Sequence, residues 1–352
     1  MKVTKIKDSR WSKEFTNDSD FGRTFSDHMF LQKFSNGKWE TPEILPYGNL
    51  SLSPSLHSLH YGQSIFEGMK AFKSEQNEVF LFRPEKNAQR FNQSAIRMCM
   101  PEVKEELFLE AIQKLLKLDH KWIPSELDSA LYIRPFMFGS SELIKAAPSE
   151  EYTFAIITSP VKSYYKGELN LKIELDYTRA SRGGTGAAKA AGNYGASFYP
   201  ARLAKEKGFD QLIWTDSYQH KFIEEAGTMN IFFRKGNKLI TPQLSDSILP
   251  GITRDSIIKL ANHEGIDCIE KRVDIEEMMQ DGIQGKILEV FGVGTAVSLS
   301  KINSISYLNK KIEFQTTKNS FLEKLKTKLQ DIQYGRCPDP FQWRNKIILN
   351  KF

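Results

Sequence analysis

A run of small residues, RGGTGAAKAAGNYG over 182–195, constrains the fold more than any other stretch of this chain. It holds one lysine, Lys189, between alanines and glycines. Glycine adopts backbone conformations that other residues avoid, and a segment without bulky side chains lets the backbone approach a flat ligand closely. A desolvated lysine there can lose its proton and act as a nucleophilic amine, as in Schiff-base enzymes. A glycine-rich loop with a solvated lysine is the alternative on these residues alone.

Composition and charge exclude several other classes of protein. The 352 residues are 40% hydrophobic and 26% charged, as in a globular protein with a sizeable core. The net charge of +6 is scattered along the chain, which argues against nucleic-acid binding. Three distant cysteines, Cys99, Cys268 and Cys337, fit neither a disulfide framework nor a metal site. With no apolar leader and no membrane-length apolar run, a cytoplasmic protein without metal is expected.

Hydrophobic periodicity predicts a mixed α and β protein, and the length of 352 residues favours two domains. The clearest helix is expected over 105–118, where apolar residues recur at helical spacing. Other helices are expected after Pro84, over 197–207, after Arg254 and over 319–333, and strands over 79–82, 130–138, 152–157, 211–215 and 286–291. The segment that begins at Pro160 has the composition of a linker. We therefore predict two domains, over 1–160 and over 169–352, that are joined by a linker over 161–168.

Four polar features carry candidate chemistry. Glu225 precedes Ala-Gly and an apolar strand, a position that surface charge explains poorly. Thr253 is a candidate N-cap, and a helix N-terminus there could bind an anion, although an ordinary capped helix is an equal alternative. The turn at 292–296 can offer backbone N–H groups and the Thr295 hydroxyl to an anion. Arg90, at the start of a helix, has a side chain available for another task.

These features suit a phosphate-bearing cofactor that is not a nucleotide. The sequence contains neither a dinucleotide fingerprint nor a phosphate loop of the GKS or GKT kind. A Schiff-base lysine, an acid for a ring nitrogen and several phosphate contacts suit pyridoxal 5'-phosphate.

The chain resembles the fold-type IV pyridoxal-phosphate enzymes, and among them the branched-chain amino acid aminotransferases of the longer type. The motifs that carry the resemblance run in the family's order from about residue 21 to residue 335: HYGQSIFEGMKAF, LYIRP, GGTGAAKAAGNYG, EEAGTMNIFF, LPGITRDSI, EVFGVGTA and IQYG. Each motif alone is weak evidence, but together they are specific. The resemblance implies a small N-terminal α/β domain, a larger domain with a barrel-like sheet, and homodimers.

Residue roles for the cofactor follow from the same resemblance. It implies that Lys189 forms the Schiff base and then carries the proton at the substrate Cα, while Glu225 pairs with the pyridine nitrogen. The cofactor phosphate is expected to contact Arg90, Thr295 and the backbone of Ile252 and Thr253. The phenolic oxygen of the cofactor is expected to contact Tyr194.

The resemblance also implies the reaction and the substrate side of the site. The expected reaction is the reversible transfer of the amino group from leucine, isoleucine or valine to 2-oxoglutarate. The expected substrate residues are Phe25, Phe66, Tyr132, Arg134 and Thr228, with the amides of Thr295 and Ala296 for the substrate carboxylate and Tyr61 from a second subunit.

Three alternatives stay open on the sequence. A D-amino acid aminotransferase or an aminodeoxychorismate lyase would share the scaffold, although the long N-terminal region and the motif GTGAAKAAGNYG argue against both. A non-catalytic phosphate-binding or scaffolding protein would need neither Lys189 nor Glu225.

Overall fold

The chain forms two units, each with its own sheet and core. A computed structural model describes residues 1–12, 21–126, 128–162, 167–315 and 319–349. Unit 1 comprises Met1–Tyr164, Ala188–Gly192 and Asp331–Phe352, and unit 2 comprises Tyr165–Ala187 and Asn193–Gln330. The change of unit after residue 164 falls in the segment that the sequence suggests as a linker, of which residues 163–166 lie outside the described part. Two later segments of the chain belong to unit 1 by their contacts.

Unit 1 is built on a mixed sheet of ten strands among the described residues, in the order β1-β4-β2-β9-β8-β6-β7-β20, with β3 on β2 and β5 on β8. The strands are β1 Lys2–Val3, β2 His28–Ser35, β3 Lys38–Trp39, β4 Glu43–Pro46, β5 Ser64–Phe66, β6 Met69–Lys73, β7 Val79–Phe82, β8 Ala130–Gly139, β9 Tyr152–Val161 and β20 Arg344–Ile347. The long strands β8 and β9 are almost wholly buried, in agreement with their mostly apolar sequences.

Helices contribute to the hydrophobic core of unit 1. They are α1 His57–Tyr61, α2 Pro84–Arg97 and α3 Glu105–Leu118, followed by a 3-10 turn at His120–Trp122. The apolar stripe of α3 buries Phe108, Ala111, Ile112, Leu115 and Leu116. Pro84 stands at the start of α2, where its fixed φ and missing N–H are tolerated. The structure confirms β7 and α3 as the sequence predicts them, and a helix that begins at Pro84.

Unit 2 has a second ten-stranded sheet among its described residues, in the order β15-β14-β13-β17-β18-β10-β11-β12-β16, with β19 on β18. This order is open, so the described strands form no closed barrel. The strands are β10 Leu169–Ile173, β11 Gln211–Thr215, β12 Phe222–Ala226, β13 Asn230–Lys235, β14 Lys238–Pro242, β15 Asp267–Lys271, β16 Val273–Asp274, β17 Ile287–Gly294, β18 Ser298–Tyr307 and β19 Lys310–Glu313. The remaining helices are α4 Ala191–Glu206, α5 Ile252–His263, α6 Ile275–Ile283 and α7 Phe321–Gln333.

Two strands extend well past the ends that the sequence predicts for them. β9 continues through Pro160 to Val161 rather than ending at 157. Thr158 accepts a bond from the Ser26 amide, so Thr158 and Pro160 direct their backbone groups to the side of β2, and β2 pairs with β9 only as far as Ile156. The missing proline N–H therefore removes no ladder bond. β17 likewise runs through Gly292 to Gly294, and the turn begins at Thr295.

Two helices also begin earlier than the sequence predicts. The helix expected from residue 197 begins at Ala191, directly after the segment that carries Lys189, and contains Pro200. Thr253 is not an N-cap, because α5 begins at Ile252 and its cap is Gly251 in an extended conformation. The helix therefore begins directly after the Pro-Gly pair, two residues earlier than a threonine cap would require.

Candidate active site

The segment of Lys189 is held in unit 1 by backbone hydrogen bonds. The Phe66 amide donates to the Lys189 carbonyl at 3.1 Å, and Ala190 forms a bridge with Ile65. The Lys189 amide in turn donates to the hydroxyl of Ser94 on α2 at 2.9 Å. The backbone of Lys189 is therefore fixed against the end of β5 and against α2.

The Lys189 side chain reaches over an aromatic ring that it shares with an arginine. Its Nζ lies 4.6 Å from the centroid of the Phe66 ring, and Cζ of Arg134 lies 4.6 Å from the same centroid. Arg134 Nη2 donates to the hydroxyl of Tyr132 at 2.9 Å. Arg134 Nε is buried and has no hydrogen-bond partner among the described residues. A buried donor without an acceptor is costly, so an oxygen ligand at this point would be stabilising.

Arg90 lies in a buried ion pair. Its Nε donates to Glu67 Oε1 at 2.7 Å and its Nη2 to Oε2 at 2.9 Å. Glu67 is fully buried and also accepts from Asn87 Nδ2 at 2.7 Å and from the Gly68 amide at 3.0 Å. Burial acts to raise the pKa of Glu67, but the charges of Arg90 and Lys189 and these donors outweigh it and lower the pKa.

Strand β8 presents Tyr132, Arg134 and Phe136 on one face, since alternate residues of a strand share a face. Lys70 of β6 lies directly opposite Tyr132, and Phe66 of β5 lies opposite Phe136. Burial lowers the pKa of Lys70 to about 8, against the opposing effect of the Asp128 charge.

Phe21 and Phe25 each pack against the ring of a tyrosine. Phe21 contacts Tyr132 edge to face, with ring centroids 5.0 Å apart. Phe25, the residue expected on the substrate side, stacks on Tyr47 at 5.0 Å. Tyr61 ends the short helix α1 and is 41% exposed on the surface of unit 1.

In unit 2, Glu225 is a buried acid with fixed partners. Its Oε2 lies 2.9 Å from Arg179 Nε, and its Oε1 accepts from the Leu249 amide at 2.6 Å and from Asn230 Nδ2 at 3.4 Å. The preceding residue, Glu224, points to the other face of β12 and accepts from the Ser247 hydroxyl. Because Glu225 faces an arginine and two N–H donors, the arrangement favours its ionised form.

Three backbone segments meet beside Glu225 at one end of the unit 2 sheet. Asn230 pairs with Val293 in the ladder of β13 and β17, which brings the turn at Thr228 to the turn at Thr295 and Ala296. The same asparagine binds the Leu249 carbonyl at 3.0 Å, just before α5. A Cβ on Gly251 would meet Asn230 Oδ1 at 2.0 Å, so this approach requires glycine. Glu225, Thr228, Ile252, Thr253, Thr295 and Ala296 therefore share one end of this sheet.

Tyr194, which was expected at the cofactor, lies in the first turn of α4, and its carbonyl accepts a hydrogen bond from the Ser197 hydroxyl.

Three other residues with contacts in these clusters were missed on the sequence. Glu67, Arg179 and Phe21 carry contacts that no sequence pattern assigned to them. An acid inside the apolar motif HYGQSIFEGMKAF was the one available signal for Glu67, whereas Arg179 and Phe21 gave none.

The described part of the chain contains no group of three or more histidine, cysteine, aspartate or glutamate residues that could hold a metal ion. None of its helices combines the length and the apolar character needed to span a membrane.

The comparisons with known proteins agree along most of the chain. The model of the family described as amino-transferase class IV matches residues 64–305. Branched-chain-amino-acid aminotransferase 2 of Bacillus subtilis is 41% identical over 336 residues, which cover 94% of this chain and 93% of the relative.

Solved structures show the same fold. The branched-chain aminotransferase from Thermoproteus uzoniensis with norvaline matches with a TM-score of 0.75 and 24% identity, over 91% of this chain and 100% of that one. The T.th. enzyme complexed with N-(5'-phosphopyridoxyl)-L-glutamate, also a branched-chain amino acid aminotransferase, matches with a TM-score of 0.71 and 23% identity, over 89% of this chain and 97% of that one. The resemblance drawn from the motifs is confirmed. The chain belongs to the amino-transferase class IV family, whose fold is that of the fold-type IV aminotransferases.

Proposed function

We propose that this aminotransferase acts on branched-chain amino acids. It would transfer the amino group reversibly from leucine, isoleucine or valine to 2-oxoglutarate, with pyridoxal 5'-phosphate bound to Lys189. Support comes from the names of relatives that are about 40% identical over nearly the whole chain. The phosphopyridoxyl-glutamate compound bound by the T.th. enzyme supports both the cofactor and glutamate as the second substrate.

The residues present fit the chemical groups of this cofactor. A half-buried lysine amine suits its aldehyde, and the buried carboxylate of Glu225 suits its ring nitrogen. The start of α5, at Ile252 and Thr253, suits its phosphate, because the first N–H groups of a helix have no acceptor within the helix. Thr295 and Arg90 would add contacts to the phosphate, and Tyr194 would approach the phenolic oxygen. When bound, pyridoxal phosphate supplies an electron-accepting ring that stabilises negative charge at the substrate Cα.

The protein's own groups would then position the substrate and move one proton. Lys189 Nζ would remove the proton from the substrate Cα in the forward direction and return it to Cα in the reverse direction. Glu225, held in its ionised form by Arg179, would keep a proton on the ring nitrogen. The amides of Thr295 and Ala296 would bind the substrate α-carboxylate.

The substrate side chain would lie along the face of β8. Phe66, Tyr132 and Phe21 offer apolar surface for a branched side chain, with Phe25 and Thr228 as further candidates. Each methylene that such a surface buries contributes about 0.8 kcal/mol. The γ-carboxylate of glutamate would bind Arg134, whose Nε is the buried donor without a partner among the described residues.

We also propose a cytoplasmic homodimer in which Tyr61 completes the site of the other subunit. Tyr61 supports this because it is 41% exposed beside Leu59, which is 67% exposed. Exposed apolar side chains that lie next to each other are typical of an interaction site.

The observation that carries the proposal is the fixed position of Lys189 over Phe66. The purified protein should absorb visible light after pyridoxal phosphate is added, and the band should change when leucine is added. Lys189→Ala should lose the band and lower leucine–2-oxoglutarate turnover at least about 10⁴-fold, since nucleophile and base are removed together. Lys38→Ala, at an exposed lysine of β3, is the control. A colourless wild-type protein would instead favour a binding module, and substantial turnover by Lys189→Ala would reject the assignment.

A further inference from the structure

Glu67 is a fully buried carboxylate directly after β5. It follows Phe66, the residue whose amide binds the Lys189 carbonyl and whose ring lies under the Lys189 amine. Its own amide donates to the Pro135 carbonyl at 2.7 Å, which fixes the backbone against β8. The side chain is therefore held on the backbone that also holds Lys189.

The carboxylate of Glu67 is fully satisfied by donors. Arg90 binds both of its oxygens, while Asn87 and the Gly68 amide bind Oε2. A buried ion pair of this kind is weak evidence for a purely stabilising role, because the cost of desolvation often cancels the attraction. Its geometry instead fixes the guanidinium of Arg90 in one orientation, since two parallel bonds leave little freedom of rotation.

Among the described residues, several cations lie in the part of unit 1 that holds Lys189. The guanidinium of Arg134 and the amine of Lys189 both lie near the Phe66 ring. Arg90 lies on α2, and Lys70 of β6 lies opposite Tyr132. The negative charge of Asp128 acts on Lys70. Cations near an amine disfavour its protonated form. Glu67 supplies a negative charge that interacts with both Arg90 and Lys189.

We propose that Glu67 is a positioning residue that orients Arg90 toward the cofactor phosphate and holds a negative charge beside Lys189. This rests on the proposed function, because it assigns Arg90 and Lys189 to the same cofactor. Loss of the Glu67 charge would let the Arg90 side chain adopt other orientations and would leave its charge uncompensated near the Lys189 nitrogen. Cofactor binding and the proton affinity of that nitrogen would then change together.

Glu67→Gln tests the charge at nearly constant size, and Glu67→Asp keeps the charge on a shorter side chain. Glu289→Gln is the matched control, because Glu289 is a buried carboxylate of unit 2 that is paired with Arg234 at 3.0 Å. Three quantities are measured for each protein. They are the dissociation constant of pyridoxal phosphate for the apoprotein, the midpoint of the pH titration of the visible band, and the thermal unfolding temperature.

Glu67→Gln should weaken pyridoxal phosphate binding at least about tenfold and lower the midpoint of the visible band by about one pH unit, as loss of a nearby opposite charge does. Glu67→Asp should keep the midpoint near that of the wild type, because the negative charge remains. It should also weaken pyridoxal phosphate binding, because the shorter side chain changes the hydrogen bonds to Arg90. Glu289→Gln should leave both quantities unchanged.

An unchanged midpoint in Glu67→Gln would overturn the proposal, and so would equal shifts in Glu67→Gln and Glu67→Asp. If Glu67→Gln does not fold, the midpoint of Glu67→Asp decides the question, and a shift of about one unit there counts against the proposal. Failure of the proposed function is a separate result, since the wild-type protein would then bind no pyridoxal phosphate and show no visible band.

Discussion

At the scale of single residues, the hydrogen bonding of the Arg134 guanidinium is incomplete among the described residues. Nη2 is used by Tyr132 and the guanidinium lies on Phe66, but the buried Nε has no acceptor among the described residues. A leucine side chain offers no oxygen to this donor, whereas a glutamate side chain offers a charged one. A charged hydrogen bond in such surroundings is strong, and a buried carboxylate without it is costly. The two substrates of a transaminase should therefore depend on Arg134 to different degrees.

Arg134→Met should slow the glutamate half-reaction by at least about 30-fold, roughly 2 kcal/mol, because the γ-carboxylate is left without its partner. The leucine half-reaction should change by less than about threefold, since methionine keeps the apolar contact with Phe66. Arg134→Lys, which keeps the charge and loses the planar fork, should lie between these values for glutamate. Single-turnover measurements of both half-reactions check this. Equal losses for the two substrates would mean that Arg134 only supports its strand.

The sequence predicts residues of the candidate site where local chemistry is unusual, and misses those defined by tertiary contact. Lys189 among glycines and alanines and Glu225 before Ala-Gly are visible in the linear chain. Arg179 is invisible there, because its contact with Glu225 joins residues that are far apart in sequence. Glu67 reads as part of an apolar motif, and only the fold shows that it meets Arg90 and Lys189.

At the scale of elements, the junction of β5 and β6 controls Tyr132. Gly68 separates the two strands, and a Cβ there would lie 2.1 Å from the Tyr132 hydroxyl oxygen. Since β8 is a buried central strand, Tyr132 cannot move away without disturbing the face that also holds Arg134. The glycine is therefore required by packing and not by an unusual φ angle.

Gly68→Ala should displace the Tyr132 ring and break its bond to Arg134. Overpacking of this kind costs about 1–3 kcal/mol of stability. The glutamate half-reaction should slow more than the leucine half-reaction, because the Tyr132 hydroxyl helps to orient Arg134. Gly48→Ala is the control, since a Cβ at Gly48 meets nothing within 4 Å and its φ is not positive. Thermal unfolding and single-turnover rates that are the same for both variants would contradict this account.

Elements were predictable where one signal dominates. The stripe of α3 and the short strand β7 have bounds that apolar periodicity gives directly. The start of α4 was missed because glycines near Lys189 lower helix propensity, and packing overrides that preference. The end of β9 was missed because Pro160 reads as a strand breaker, and only the pairing shows that its missing N–H faces a side without a ladder.

At the scale of the whole molecule, unit 1 exposes an apolar surface next to α1. The N–H of His57 donates to the Ser141 carbonyl at 2.9 Å, and Leu56 forms a bridge with Glu142. These bonds tie α1 to the loop that follows β8. The exposed apolar residues of this surface are Leu52, Leu59, Tyr61, Leu143 and Ile144. An apolar cluster of this kind, placed on hydrogen-bonded backbone, supports the proposed contact with a second copy of the chain.

Mixed dimers distinguish a Tyr61 that acts in its own subunit from one that acts in the other. If Tyr61 completes the site of the second subunit, a dimer of one Lys189→Ala chain and one Tyr61→Ala chain has one doubly altered site and one intact site. Random mixing of equal amounts makes about half of the dimers mixed, so about a quarter of all sites should have wild-type kinetics. Neither variant alone should show this component, which leucine turnover before and after unfolding and joint refolding would measure. If Tyr61 acts within its own subunit, every site in the mixture carries one lesion, and no such component can appear.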